Sequence, residues 1–94
     1  MDFAKIVLEH VSKIPCGKVL TYKELASATG RPRAYRAVGN ALHHNPRPLE
    51  VPCHRVIKSD GRVGGYIYGS KKKIGLLRQE GIKIEHGRIR NFTK

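Results

Sequence analysis

Cysteine is scarce in this 94-residue chain. Cys16 and Cys53 are the two present, and they form no Cys-x-x-Cys pair. Two cysteines are too few for a disulfide scaffold, and they point to a reducing, cytoplasmic setting. No apolar run is long enough to cross a bilayer, so no membrane partner is expected. The first residues, MDFAKIVLEHVSK, are amphipathic and carry Asp2 and Glu9, which does not fit a signal peptide. Internal repeats, linkers and cofactor motifs are missing, and the length predicts one domain over 1–94 with one modest core. Carboxylates are the other shortage. Seven Asp and Glu face nineteen Lys and Arg, for a net charge of +12. Such self-repulsion is understandable if a polyanion is the partner, nucleic acid first and an anionic membrane second. A merely basic surface is the plainer alternative.

What is present is mostly helical patterning. Phe3, Ile6, Val7, His10, Val11 and Ile14 recur at helical spacing, predicting a helix over 3–14 with Asp2 as its N-cap. Lys18 to Leu20 reads as extended. The run Thr21-Tyr22-Lys23-Glu24 has the form of a capping box, so a short helix should follow to Thr29 and stop at Gly30. Pro32 suits the first turn of a third helix. That helix carries an apolar stripe of Ala34, Ala37, Val38, Ala41 and Leu42, opposed by Arg33, Arg36, Asn40 and His43. Asn45 is expected as its left-handed C-terminal cap, with Pro46 forbidding continuation. Two helices joined by a tight turn over about 22–44 make a helix-turn-helix whose second helix is basic outside. Many such pairs bind nothing.

Three prolines keep residues 46–56 out of regular helix. The stretch 59–70, SDGRVGGYIYGS, is a glycine-rich loop with two tyrosines. A last helix is expected over about 71–80, with Ser70 as cap, Gly81 as stop, and Ile74 and Leu77 facing inward. Its first turn, Lys71-Lys72-Lys73, has the wrong sign for a helix N-terminus, which a nearby phosphate backbone would explain. Residues 82–92 alternate around His86-Gly87 and read as a β-hairpin. The expected class is mainly α with a small β component, a winged-helix-like helix-turn-helix domain.

The chemistry gathers at Val51-Pro52-Cys53-His54-Arg55-Val56. A cysteine attacks as thiolate, so it needs a nearby cation, dipole or base. His54 is the nearest base, although adjacent side chains in extended chain point apart. A histidine base in turn needs an orienting partner, and Glu80 is the choice among so few carboxylates. Read from the residues alone, Cys53 is equally a nucleophile or a small buried hydrophobe.

Several segments together resemble the O6-alkylguanine-DNA alkyltransferases: PCHRV at 52–56, RAVGNAL at 36–42, Asn45-Pro46, GKVLTY at 17–22, GGYIYG at 64–69 and LLRQEG at 76–81. The resemblance covers the chain from the first helix to Gly81. It implies direct-reversal DNA repair, in which one protein transfers one alkyl group from guanine O6 to its own cysteine, here Cys53, with no cofactor. It further implies that His54 deprotonates Cys53 through a water, that Glu80 orients His54, and that Tyr22 contacts the flipped base. The partner implied is double-stranded DNA containing O6-alkylguanine, bound by a monomer. The second helix of the helix-turn-helix would enter the minor groove, with Arg36 filling the vacated stack. Arg33 and Thr21 would lie among the DNA contacts, and the small Ala34, Ala37 and Gly39 would allow close approach. Val56, Tyr66, Ile67 and Tyr68 would wall the base pocket, and Asn45 would hold the turn between recognition helix and active-site loop.

Relatives with an additional N-terminal domain include some with structural zinc. This chain offers no ligand set for one, so no metal is expected. Cys16 has no assigned role. Tyr68 stands where some members have glycine, and the bulk there is expected to narrow the pocket, favouring O6-methylguanine over O6-benzylguanine. Two rival functions use the same features: a non-catalytic lesion-binding relative, which lacks the acceptor cysteine, and a winged-helix regulator, which has no use for PCHRV. A thiol hydrolase is remote, because no triad or oxyanion-hole spacing is evident.

Overall fold

The computed structural model describes residues 3–47 and 50–90. Asp2, expected as a cap, and residues 91–92 of the expected hairpin lie outside that range. The elements are α1 (Phe3–Ser12), β1 (Leu20–Thr21), α2 (Tyr22–Ala28), α3 (Tyr35–His43), a 3-10 turn (Cys53–Arg55), β2 (Val56–Ile57), α4 (Ser70–Gln79), β3 (Ile84–Glu85) and β4 (Arg88–Ile89). The architecture is mainly α with a small β component, as expected.

Helix α1 buries Val7 and Val11 completely against Leu25, Ala26, Val38, Ala41 and Leu42, and this α1–α2–α3 cluster also holds Cys53 and Val56. The capping box forms as expected. The Glu24 backbone N–H donates to Thr21 Oγ1 at 3.0 Å, and the Thr21 N–H donates to Glu24 Oε1 at 2.9 Å. Both bonds satisfy donors that the first turn of α2 would otherwise leave open.

Helix α3 starts later than expected. Residues 32–34 form a separate turn, closed by the Ala34 N–H to the Arg31 carbonyl at 2.9 Å, and no side chain caps the helix. Without a capping side chain, Pro32 belongs to this tighter approach and not to the helix. Val38, Ala41 and Leu42 are buried, whereas Ala37 is exposed and leaves the apolar stripe. Nor is Asn45 left-handed: among the described non-glycine residues only His86 has positive φ. The Asn45 side-chain amide instead donates to the Val51 carbonyl at 3.0 Å while Asn45 Oδ1 accepts from the Arg47 N–H at 3.0 Å. Those two bonds tie the end of α3 to the segment that leads into Cys53.

Strands β1 and β2 pair in parallel, Leu20 opposite Val56 and Thr21 opposite Ile57. That single pairing brings the start of α2 beside the turn that carries Cys53. A second cluster, Ile57, Val63, Leu77 and Ile84, seats α4 and the β3–β4 hairpin on the other side of β2. The hairpin bonds back to the chain before the tyrosine loop, Val63 N–H to Gly87 O and Ile89 N–H to Gly61 O, both at 2.9 Å. Ser70 is the first residue of α4, not its cap; Gly69 precedes it at φ +93°, and the Ser70 hydroxyl points back to the Gly64 carbonyl. At the other end Gly81 takes φ +90°, the left-handed conformation that stops the helix at little steric cost.

Lys73 is the largest departure. Its place in the lysine-rich first turn of α4 predicts a side chain facing phosphate, but it is 0% exposed, one turn before the equally buried Leu77. Positions i and i+4 share a helix face. The phase that buries Leu77 therefore carries Lys73 inward, and its ammonium donates to the carbonyls of Val56 at 2.6 Å and Gly65 at 3.1 Å.

Candidate active site

Cys53 opens the 3-10 turn, which is held by the Cys53 N–H to Val51 O at 2.7 Å and the Arg55 N–H to Pro52 O at 2.9 Å. A 3-10 turn rotates successive side chains by about 120°. Cys53, His54 and Arg55 therefore diverge from one short segment. Cys53 faces a cleft of about 330 Å³ lined by Tyr22, Gly39, Leu42, His43, Gly65, Tyr66 and Ile67. His54 and Arg55 turn the other way, toward Glu80.

Glu80 sits at the C-terminal cap of α4 and accepts from both residues. His54 Nε2 lies 2.9 Å from Oε2, Arg55 donates Nε–H to Oε1 at 2.9 Å, and an Arg55 terminal N–H reaches Oε2 at 2.7 Å. The Arg55 guanidinium, with the His54 bond added, holds the Glu80 carboxyl down at about 2. An ionised carboxylate only accepts, so the proton of neutral His54 belongs on Nε2. Nδ1 is then the basic atom. It is buried and has no hydrogen-bond partner. Arg55 also donates to the Ile14 carbonyl at 2.8 Å, so the same side chain secures the end of α1.

The thiol itself is not preactivated. Burial pushes the Cys53 thiol up from its ordinary value, and the Asn45 amide and the Lys73 charge offset this only in part. The resting group is a thiol, and a base would be needed to ionise it. Tyr22 and Tyr66 are also raised by burial first and by Cys53 second, Tyr66 to about 12, so both phenols keep their protons. The Tyr66 hydroxyl is buried without a partner. Its ring stands edge-on to His54 (6.3 Å between centroids) and to Tyr68 (5.6 Å). Gly64 brings the tyrosine loop close to Tyr22: at φ +75° an added Cβ would meet Lys58 Cγ at 3.3 Å and Tyr22 Cε2 at 3.8 Å.

Of the expected pocket walls, Tyr66 and Ile67 line the cleft and two others do not. Val56 is 0% exposed inside the core, and its role at the site is the carbonyl that takes the Lys73 bond. Tyr68 is 56% exposed and packs on Tyr66 outside the cleft, so its bulk does not narrow the pocket. Thr21, expected to meet DNA, is 0% exposed with its hydroxyl committed to the cap of α2, which leaves that side chain no surface to offer. Arg36, Arg33 and Ala37 are exposed, and Ala34 and Gly39 are half-buried. A second cleft of about 500 Å³ shares Tyr22 and Gly39 with the first and is lined by Arg36, Tyr35, Lys23 and Lys58. Gly39 and His43 lie three and seven residues after Arg36, so one face of α3 joins the two clefts.

The sequence reading missed Arg55, Lys73, Leu42, His43 and Gly65 as site residues. Helix phase relative to Leu77 could have found Lys73, and the spacing from Arg36 could have found His43. Nothing local signals Arg55 or Gly65. Among the described residues, no group of three His, Cys, Asp or Glu could hold a metal ion.

Residues 2–82 match the family described as the 6-O-methylguanine DNA methyltransferase, DNA binding domain. The chain belongs to that family. It is 51% identical over 79 residues to a methylated-DNA–protein-cysteine methyltransferase of Methanosarcina barkeri, covering 84% of this chain and 50% of that protein. The fold superimposes on the Mycobacterium tuberculosis OGT in complex with DNA with a TM-score of 0.84 at 43% identity, covering 86% of this chain and 49% of the other. It also matches S. pombe Atl1 in complex with damaged DNA containing O6-carboxymethylguanine, at a TM-score of 0.80 and 36% identity, covering 88% and 79%. The chain thus spans about half the length of the curated relatives it matches. The family match ends before the β3–β4 hairpin.

Proposed function

We propose that this chain repairs double-stranded DNA by a single, self-consuming transfer of the alkyl group of O6-alkylguanine to Cys53. The observation that carries the reading is Cys53 at the wall of a cleft, with the next residue, His54, bonded to Glu80. The cleft volume lies within the range of small-molecule sites, about 300–1,000 Å³.

The target carbon is out of reach in a stacked duplex, so the base must leave the stack, at a cost of a few kcal/mol. Arg36 is exposed on α3 and lines the second cleft, which supports its filling the gap. Minor-groove entry by α3 reads little sequence, which suits a repair protein. In the cleft, Cys53 gives its proton through one water to His54 Nδ1, while Glu80 stabilises the imidazolium through Nε2. The sulfur pair attacks the alkyl carbon, the S–C bond forms, and the C–O6 bond breaks with its electrons passing to guanine. Tyr22, whose phenol keeps its proton, donates to the departing base. The proton on His54 restores Tyr22 through solvent, so the sum is thiol plus O6-alkylguanine giving thioether plus guanine. Tyr66, with its unpartnered hydroxyl, offers the base a further donor. No group in the site regenerates a thioether. The protein acts as a monomer in the cytoplasm, one molecule per lesion.

The test is a mass spectrum of the Cys53 peptide after incubation with an O6-methylguanine duplex. The expected result is a methylene's added mass on Cys53 and none on Cys16, with Cys53→Ala binding the duplex and transferring nothing. Tight binding with unchanged mass in the intact protein would instead mark a lesion binder and overturn the transfer.

A further inference from the structure

The β3–β4 hairpin lies beyond the family match, and the transfer chemistry makes no use of it. It is nevertheless built into the fold. Ile84 and Ile89 pair across it and pack with Ile57, Val63 and Leu77. Strand β4 also pairs with the chain at Gly61 to Val63, where an antiparallel bridge sets Arg62 opposite Arg88. The bonds on either side, Val63 N–H to Gly87 O and Ile89 N–H to Gly61 O, make this a non-hydrogen-bonded pair. Side chains stand closest in pairs of that kind. Val63 is buried and Ile89 half-buried, so alternation along the strands turns Arg62 and Arg88 outward, and both are exposed. Like charges directly opposite each other destabilise a sheet. The nearby carboxylates do not cancel the repulsion. Glu85 is taken by Arg90 at 3.0 Å, and Asp60 reaches Arg62 at 3.5 Å. The Arg62 backbone N–H holds Asp60 below its ordinary value, and the charges of Arg62, Arg88 and Lys58 add to this, so three cations share one carboxylate. Among the described residues, Arg88 makes no ion pair of its own. The pair also adjoins the second cleft. Lys58 and Asp60 line that cleft with Arg36 and Lys23, and the Lys58 N–H donates to the Arg62 carbonyl at 2.9 Å.

We propose that Arg62 and Arg88 form a phosphate-binding surface on the hairpin side of the molecule, which extends the DNA-contacting face of α3 and grips the duplex backbone at a flank of the lesion. This rests on the reading of α3 as the element that meets DNA. A phosphodiester between two guanidiniums replaces their repulsion with charge-assisted hydrogen bonds. The planar fork of arginine matches phosphate oxygens. Backbone contacts of this kind fix register and orientation without reading sequence. One short turn, Lys58 to Arg62, joins this surface to the cleft that Arg36 lines, so a phosphate held by the pair sets the position of the duplex relative to Arg36.

The experiment measures binding of the whole chain to an undamaged duplex by anisotropy at stepped salt, and transfer from an O6-methylguanine duplex separately by single-turnover kinetics. Arg62→Gln combined with Arg88→Gln keeps polar side chains and removes both charges. Each phosphate contact contributes about 0.9 to the slope of log affinity against log salt, so the double variant should lose about two from that slope. A parent loss of roughly a hundredfold between 50 and 200 mM salt then becomes roughly tenfold, and affinity at 50 mM falls by at least about tenfold. Transfer at saturating duplex should keep the parent rate, because neither residue lines the cleft that holds Cys53. Arg62→Lys combined with Arg88→Lys retains both charges and should retain the slope. A folded double Gln variant with the parent's slope overturns the proposal, and so does an equal loss of slope in the Gln and Lys variants. Should the double variant fail to fold, Arg88→Gln alone decides. It breaks no ion pair, its slope should fall by about one, and an unchanged slope overturns the proposal. A parent whose affinity is flat in salt would sink the DNA reading itself, whereas a steep parent with an equally steep variant sinks the hairpin surface alone.

Discussion

At the scale of single residues, Glu80 divides one carboxylate between two partners. Arg55 occupies both oxygens, and His54 shares Oε2. The fork makes the carboxylate a fixed acceptor and thereby sets the tautomer of His54. Replacing Arg55 with Gln should slow transfer by roughly tenfold, because the imidazole loses its oriented neighbour. The same change should lower stability by about 1–3 kcal/mol, since the Ile14 carbonyl loses its donor. Single-turnover kinetics and a urea titration read the two effects; no change in either would mean that His54 alone holds Glu80. The depressed carboxyl also sets an acid limb. The folded Glu80 holds its proton less tightly than an ordinary carboxyl of 4.5. Its stabilisation is complete above about pH 4.5 and is lost as pH falls toward 2. Glu80→Gln should be less stable than the parent at pH 7, with the gap closing across that window in urea titrations at stepped pH.

Among the elements, α2 shows how a local motif serves a distant site. Its capping box fixes where the helix begins, and Tyr22 is the first helical residue. Because Thr21 pairs with Ile57 next to the Cys53 turn, the cap also sets Tyr22 against the cleft. Thr21→Ala should cost about 1 kcal/mol of stability, the usual loss for an N-cap, and displace the Tyr22 phenol. A lower urea midpoint together with slower transfer at saturating DNA is the expected pair. A lower midpoint with an unchanged rate would separate the cap from the site. The capping box was legible in four consecutive letters because both bonds span three residues. The start of α3 was not, since Pro32 fits a helix or a turn equally and α3 has no capping side chain to mark its first residue.

Across the whole molecule, charge is unevenly committed. Glu24 caps α2 and Glu80 serves the site, while Glu50, Asp60 and Glu85 pair with exposed arginines. Nineteen Lys and Arg far outnumber the carboxylates that could neutralise them, which leaves a large positive excess for an outside partner. Binding to undamaged duplex should therefore weaken steeply with salt. With about four phosphates neutralised, affinity should fall roughly a hundredfold between 50 and 200 mM salt. A flat titration by anisotropy would show that the charge does not serve DNA.

The presence of four helices, the capping box, the basic face of α3 and the His54–Glu80 contact could be read from the letters. Each depends on contacts within one or two turns, on charge, or on a run of residues specific enough to carry a resemblance. The tertiary structure alone decided that Arg55 shares Glu80. It also decided that Val56 offers its carbonyl in place of its side chain, and that Tyr68 stands outside the cleft. Those outcomes depend on how α4 and the tyrosine loop fold back over β2. The groups they join are far apart in the chain and meet only through the burial of Ile57, Val63, Leu77 and Ile84. A lysine in the first turn of a helix looks solvated in sequence; the packing of its neighbour four residues on determines whether it is.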